Sequence, residues 1–237
     1  MANLEAKQTE FIASVVRLGP RIATFDCDGT LWSGDAGEGF FWWELERGLV
    51  RPEIARWGRA RYADYKAGLV AEDLMCGEMV TMHAGLREDE VQRACDEYFA
   101  AGVEANVFPE MRELVRRLAE TGCDVWAVSS SNVWIIRSAM QTFGIPRNRI
   151  LAAECAVDDG VITNRLIRVP SGPGKVEAIE AAIPAKPDCA FGNAIWDREM
   201  LALAKYPFVI NPFPNLLEIA VEKGWPVYQP DLNHRER

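Results

Sequence analysis

Short apolar runs alternate with segments of helical periodicity along most of the 237-residue chain. Apolar runs that stop at glycine or polar residues predict buried strands, here at 21–26, 124–129, 150–153, 188–192 and 208–211. Between these runs, apolar residues recur with a helical period at 111–120, 133–143, 175–183, 198–205 and 216–223. The alternation predicts an α/β fold with a doubly wound parallel sheet, on which ligands bind at the carboxyl ends of the strands.

One long segment interrupts this alternation. From about residue 35 to residue 107 the chain carries no strand pattern, and helical patterns occupy 52–66, 71–82 and 88–100. We therefore predict an inserted helical cap domain at 35–105 and an α/β core made of 1–34 and 106–237. A second irregularity, at 154–168, has Asp-Gly between alternating residues and predicts a small hairpin.

Composition narrows the classes of partner. The 26 Lys and Arg against 35 Asp and Glu give a net charge of −9, which argues against a nucleic-acid partner, because phosphate backbones are bound by clustered cations. A small anionic substrate needs only one or two placed cations. No apolar run is long enough to span a bilayer, so no membrane partner is expected.

Cysteine usage points to a reducing compartment. The six cysteines form no C-x-x-C pair and the chain has only two histidines, so a zinc site is not expected. Free thiols, together with the absence of a signal-peptide pattern, predict a cytoplasmic protein.

Two aspartates follow the first predicted strand in the sequence FDCDGT. Asp26 and Asp28 would repel each other, and a divalent cation such as Mg²⁺ gives a reason for them to coexist. One carboxylate can act as a nucleophile toward phosphorus, and the other as general acid and base. The alternative is a strand followed by an ordinary Asp-Gly turn.

Three further motifs stand after strands or before helices. The SSSN segment that begins at Ser129 either caps a helix or binds phosphate with a hydroxyl and backbone amides. Lys175 follows the glycine-containing loop PSGPG and is either a surface lysine or a partner of phosphate and carboxylate. Asn193 and Asp197 follow a strand that ends in glycine, where they either cap the next helix or face the strand end together.

The order and spacing of these four motifs resemble the haloacid dehalogenase-like (HAD) phosphohydrolase superfamily over almost the whole chain. The resemblance is greatest to the branch containing phosphoserine phosphatase, whose helical C1-type cap lies between the first and second motifs. It implies a Rossmann-like HAD core, hydrolysis of a small phosphorylated metabolite, Mg²⁺ as cofactor and a monomer or homodimer.

The resemblance also assigns roles to residues. Asp26 would attack phosphorus and form an aspartyl-phosphate, and Asp28 would protonate the leaving group and then activate water. Ser129 and Lys175 would complete the catalytic set. The implied phosphate-binding residues are Gly29, Thr30, Ser129, Ser130 and Lys175, and the implied metal ligands are Asp26, Asp28, Asn193 and Asp197.

Asn193 departs from the family pattern, which usually has aspartate at this position. An amide keeps a hard oxygen but loses the charge, and asparagine does bind Mg²⁺ in protein kinases. Three interpretations stay open: a weaker metal site with turnover, a metal site that relies on Asp197, or phosphate binding without catalysis. A phosphotransferase or mutase on the same core is a further alternative.

The predicted cap carries candidates for substrate recognition. Asp35 lies where phosphoserine phosphatases have a substrate-binding glutamate, so Asp35 or Glu38 is a candidate for binding an amino group. Arg59 is a candidate for a carboxylate, although solvated arginines are the simpler explanation of that helix. The aromatic run FFWW at 40–43 forms either the cap's own core or a wall for a quaternary ammonium group. The serine triplet replaces the Ser-Gly-Gly of phosphoserine phosphatases, which argues against phosphoserine itself.

Overall fold

The structure, a computed structural model, describes residues 5–230. Its strands are β1 (Ile22–Phe25), β2 (Asp124–Asn132), β3 (Ile150–Asp158), β4 (Val161–Arg168), β5 (Cys189–Gly192), β6 (Tyr206–Ile210) and β7 (Val227–Tyr228). They form one sheet in the order β4-β3-β2-β1-β5-β6-β7. Neighbouring strands are parallel except β3 and β4, which are antiparallel.

Helices cover both faces of this sheet. They are α1 (Ala6–Val16), α2 (Ala36–Arg47), α3 (Pro52–Lys66), α4 (Glu72–Thr81), α5 (Glu88–Tyr98), α6 (Pro109–Glu120), α7 (Val133–Phe143), α8 (Pro173–Ala182), α9 (Arg198–Leu203) and α10 (Pro214–Lys223). Side chains alternate along the strands: on β2, Val125 and Ala127 join one apolar cluster with α6 and α7, and Trp126 and Val128 join another with α8, α9 and α10. The predicted doubly wound α/β fold is confirmed.

The segment between β1 and β2 is helical, from α2 to α5, and ends in a π-helical turn (Phe99–Val103) and a 3₁₀ turn (Glu104–Asn106). It has an apolar cluster of its own, which includes Phe41, Tyr62 and Met75. Other side chains of this segment, such as Phe40 and Val91, pack into the main core instead. The division at residues 35 and 105 stays a prediction, and residues 1–4 and 231–237 of the predicted core lie outside the described part.

The predicted hairpin at 154–168 is an extension of the main sheet. β3 continues to Asp158, and β4 returns antiparallel to it along the sheet edge. Asp159 and Gly160 connect the strands with φ of 49° and 76°, the left-handed pair that a tight hairpin turn requires. Helix α1 and the two-residue β7 were not predicted. Within residues 5–230, no helix is both long and apolar enough to cross a membrane.

Candidate active site

Asp26 stands at the end of β1 and is fixed by its neighbours. Its backbone N donates to Phe191 O at 2.9 Å, which continues the pairing of β1 with β5. Its carboxylate accepts a hydrogen bond from Thr30 Oγ1 at 2.8 Å on Oδ2 and one from Lys175 Nζ at 2.7 Å on Oδ1. The carboxylate is 10% exposed, so it is held in one orientation with one side open to the cleft.

Lys175, in the first turn of α8, lies under the carboxyl ends of β1, β2 and β5. Its ammonium is 1% exposed and donates to Asp26 Oδ1 (2.7 Å), Val128 O (2.9 Å) and Asp197 Oδ1 (2.5 Å). These three acceptors use all three ammonium hydrogens. Burial lowers the pKa of Lys175, but the two carboxylates outweigh burial and raise this pKa above its usual value. Lys175 is therefore a buried, positively charged residue that links Asp26 and Asp197 through ion pairs.

Asp28 accepts three hydrogen bonds. Its Oδ1 accepts from Trp32 Nε1 at 2.9 Å and from Ala36 N at 2.6 Å, and its Oδ2 accepts from Ser131 Oγ at 2.7 Å. Burial and the charge of Asp35 raise the pKa of Asp28 to about 8, although the hydrogen bonds act to lower it. A carboxyl with this pKa can hold a proton at neutral pH, as a general acid must.

Asp26 has a smaller shift. Burial, followed by the charge of Asp197, raises its pKa to about 6, while Lys175 and Thr30 act in the opposite direction. The two aspartates of FDCDGT therefore differ in their preferred protonation. Separate environments for two carboxyl groups are typical of an acid and a nucleophile in one site.

Asp197 fixes the backbone that follows β5 through hydrogen bonds. Its Oδ2 accepts from the backbone N of Asn193 and of Ala194, both at 2.9 Å, while its Oδ1 faces Lys175. Asn193 is buried against Gly29, whose φ is +73°. A Cβ added at Gly29 would lie 1.8 Å from Asn193 Nδ2, so this contact requires glycine.

The residues of the segment 129–132 have different structural roles. Ser129 is buried, and its Oγ accepts from Ser131 N at 3.1 Å. Asn132 caps α7, since its Oδ1 accepts from Ile135 N at 2.9 Å. Ser130 and Ser131 line the cleft. Of the predicted phosphate-binding residues, Gly29, Ser130 and Lys175 line the cleft; Ser129 lies beneath it, and the Thr30 hydroxyl is directed to Asp26.

A cleft of about 610 Å³ lies between the strand ends and the inserted helices. Asp26, Asp28, Asn193 and Asp197 line its floor. Its other end has three carboxylates, of Asp35, Glu38 and Glu72, with Lys66 and Tyr65 beside them. Trp196 and Phe213, 43% and 58% exposed, line its mouth.

Of the cap residues predicted to recognise the substrate, only some line the cleft. Asp35 lines it and also caps α2, accepting from Glu38 N at 2.7 Å, and Glu38 lines it as well. Arg59 is not among the described residues that line the cleft, because its guanidinium lies over the Trp42 ring on the outer side of α3, 5.6 Å from the centroid. Phe40 and Phe41 are buried in apolar clusters, which supports the simpler interpretation of the aromatic run.

Sequence reasoning missed several cleft residues. Glu72, in the first turn of α4, looks in sequence like any acid favoured at a helix N-terminus. Lys66 and Tyr65 fall in an ordinary charged helix, and Trp196 and Phe213 look like loop residues. No local pattern marks any of them, because the packing of separate helices and loops brings them together.

The residues at the cleft floor fit Mg²⁺. Two carboxylates, of Asp26 and Asp197, share one ammonium, which leaves negative charge for a cation to balance. Carboxylate and amide oxygens, here from Asp26 and Asn193, are donors that Mg²⁺ prefers. Within residues 5–230, no group of three or more His, Cys, Asp or Glu side chains is arranged to hold a metal ion. A metal ion on the cleft floor would therefore depend in part on the amide oxygen of Asn193.

A doubly wound sheet with a helical insertion after its central strand, and a carboxylate pair beside a buried lysine, defines a class of phosphohydrolases. The model of the haloacid dehalogenase-like hydrolases matches residues 23–202, and the chain belongs to this family. Its relatives include proteins named as phosphatases, among them a histidinol-phosphatase and a phosphoserine phosphatase.

Three similar proteins illustrate this relation. A histidinol-phosphatase of Neisseria meningitidis serogroup C is 26% identical over 217 residues, 87% of this chain and 97% of that protein. A protein of unknown function from Bordetella pertussis Tohama I has a TM-score of 0.75 at 22% identity, over 87% of this chain and 97% of that one. A phospho-aspartyl intermediate analogue of phosphoserine phosphatase has a TM-score of 0.57 at 16% identity, over 84% and 90%.

Proposed function

We propose that this protein is a Mg²⁺-dependent phosphomonoester hydrolase that acts on a small phosphorylated metabolite through an aspartyl-phosphate on Asp26. The observation that carries the proposal is the buried Lys175, which joins Asp26 to Asp197 in the same cleft as Asp28. This arrangement holds one Asp26 oxygen toward the lysine and leaves the carboxylate directed into the cleft. A fixed carboxylate is a competent nucleophile toward phosphorus.

The remaining roles follow from position. Asp28 gives a proton to the leaving oxygen and later takes one from water. The backbone around Gly29 and Ser130 would face the phosphate, and Lys175 would add positive charge from below through its contact with Asp26. Ser129 supports this segment from below through its bond to Ser131.

Mg²⁺ would be held by oxygens of Asp26 and Asn193. When bound, it supplies positive charge beside the phosphoryl oxygens. Asp28 and Asp197 each already accept three hydrogen bonds, whereas Asp26 accepts two, so Asp26 keeps more of its lone pairs free for a cation. This favours the interpretation in which Asn193 weakens the metal site over one in which Asp197 replaces it as ligand.

We further propose that the leaving group carries a cationic nitrogen. Three carboxylates and one ammonium at the far end of the cleft leave a net negative charge where the leaving group would lie. The N. meningitidis relative is named for histidinol phosphate, an ester whose alcohol part carries an amino group. Competitive inhibition by 2-aminoethyl phosphate, compared with 2-hydroxyethyl phosphate, tests this part. Equal inhibition by both would refute it, and Glu72→Gln should reduce any preference for the amine.

The experiment for the hydrolase itself is phosphate release from 4-nitrophenyl phosphate across a Mg²⁺ titration. The natural chain should turn over, Asn193→Asp should saturate at lower Mg²⁺, and Asp26→Asn should be inactive. If only Asn193→Asp releases phosphate, the natural chain is a phosphate-binding protein and the proposal is wrong. If an added alcohol takes up most of the phosphoryl group, the protein is a phosphotransferase.

A further inference from the structure

The two oxygens of the Asp28 carboxylate have different partners. Oδ1 accepts hydrogen bonds from two N–H groups, Trp32 Nε1 and Ala36 N. Neither donor has a lone pair with which to accept a hydrogen bond. A proton on Oδ1 would break these contacts, so the proton that Asp28 transfers belongs on Oδ2.

Oδ2 has a partner of a different kind. Ser131 Oγ lies 2.7 Å from it and is its one hydrogen-bond partner among residues 5–230. The hydroxyl donates to one lone pair of Oδ2 and leaves the second free, whereas both lone pairs of Oδ1 accept hydrogen bonds. The proton can therefore occupy the free position on Oδ2 and face the cleft while Ser131 keeps its contact with Asp28.

The Ser131 hydroxyl is confined on two sides. Its backbone N is tied to Ser129 Oγ at 3.1 Å, which fixes the end of β2. On the other side Gly37, in the first turn of α2, comes so close that an added Cβ would lie 2.3 Å from Ser131 Oγ. Ser131 also lines the cleft, so Oδ2 is held at the cleft surface.

We propose that Ser131 is a positioning residue that holds Asp28 Oδ2 toward the leaving oxygen of the substrate. This inference rests on the proposed hydrolase function. As the Asp26 carboxylate forms its bond to phosphorus, the bond from phosphorus to the leaving oxygen breaks, and that oxygen takes the proton from Oδ2 to become an alcohol. Water then attacks phosphorus, its proton passes to Asp28, and phosphate and the Asp26 carboxylate are restored.

Esters with different leaving groups test this role. 4-Nitrophenyl phosphate has a leaving group that departs without protonation, whereas benzyl phosphate, of similar size, requires it. Ser131→Ala should lower kcat about 100-fold for benzyl phosphate, the lower end of the general-acid contribution, and only slightly for 4-nitrophenyl phosphate, with KM unchanged for both. Ser131→Thr, which keeps the hydroxyl, should retain more benzyl phosphate activity than Ser131→Ala.

The matched control is Ser130→Ala, since Ser130 lines the same cleft without contacting Asp28; its effect should be equal for both esters. Gly37→Ala is an independent test, because its methyl displaces the Ser131 hydroxyl without removing it and should reproduce the selective loss. An equal loss on both esters, or none, in Ser131→Ala or Gly37→Ala would overturn the inference while leaving the hydrolase intact. If the natural chain with Mg²⁺ hydrolyses neither ester, the proposed function itself fails.

Discussion

Replacing Lys175 by methionine tests the charge balance of the site. The ammonium is 1% exposed and is the cation that contacts both Asp26 and Asp197. Methionine fills similar volume but leaves two buried carboxylates without their counter-charge. Removing one partner of a buried ion pair costs about 3–5 kcal/mol, against a total stability of about 5–15 kcal/mol for a typical protein.

Urea unfolding followed by tryptophan fluorescence, in the presence of EDTA, measures this loss. For a chain of this size, about 3–5 kcal/mol corresponds to a decrease in Tm of roughly 6–20 °C. Lys186→Met is the control, because Lys186 is exposed and its replacement should change the free energy of unfolding by less than about 0.5 kcal/mol.

A second substitution separates charge from packing. Adding Asp197→Asn to Lys175→Met removes one of the unpaired charges and should restore about 0.5–3 kcal/mol. A loss in Lys175→Met no larger than in Lys186→Met would refute the reasoning, since it would show that the two carboxylates do not depend on the ammonium. A loss that Asp197→Asn deepens would also count against it.

Two other predictions concern buried contacts. His83 Nδ1 faces a carbonyl and Nε2 lies 2.6 Å from Glu44, and although burial lowers the pKa of His83, the Glu44 charge and hydrogen bonds raise it overall. A group whose pKa is raised on folding stabilises the fold below its unfolded-state pKa, here about pH 6.5, and this stabilisation is lost as pH rises through the folded-state pKa. Glu44→Gln should therefore lower the free energy of unfolding by about 1.5–3 kcal/mol at pH 6 and by less at pH 10. Urea unfolding measures both values, and an equal loss at the two pH values would contradict the charged pair. Gly29→Ala should lower both Tm and phosphate release, because the added Cβ would clash with Asn193. The control is Gly19→Ala, which has a similar φ of +60° but no atom within 4 Å of the added Cβ, and it should cost only about 1–2 kcal/mol of backbone strain. Full activity in Gly29→Ala would show that the close contact with Asn193 is dispensable.

Much of the fold could be predicted because its signals are local. Strands such as β1 and β5 are short apolar runs that end at glycine or polar residues, and α7 was predicted with the bounds that it has. Since parallel strands end at one edge, the motifs after β1, β2 and β5 were expected to meet there, and they line or support one cleft. The two-residue β7 lacked a detectable pattern because two residues cannot show periodicity.

The sequence by itself determined the class of fold, the edge of the sheet that carries the chemistry and the candidate pair Asp26 and Asp28, since each depends on residues close together in the chain. Only the tertiary structure decided which groups touch. Lys175 reaches Asp26 across 149 positions, and Ser131 reaches Asp28 across 103, because strand order sets these contacts. It also turned Arg59 away from the cleft and brought in Glu72, since the packing of α2, α3 and α4 decides which side of each helix faces the cleft. Side-chain direction across separate elements is a property of packing, and no local periodicity encodes it.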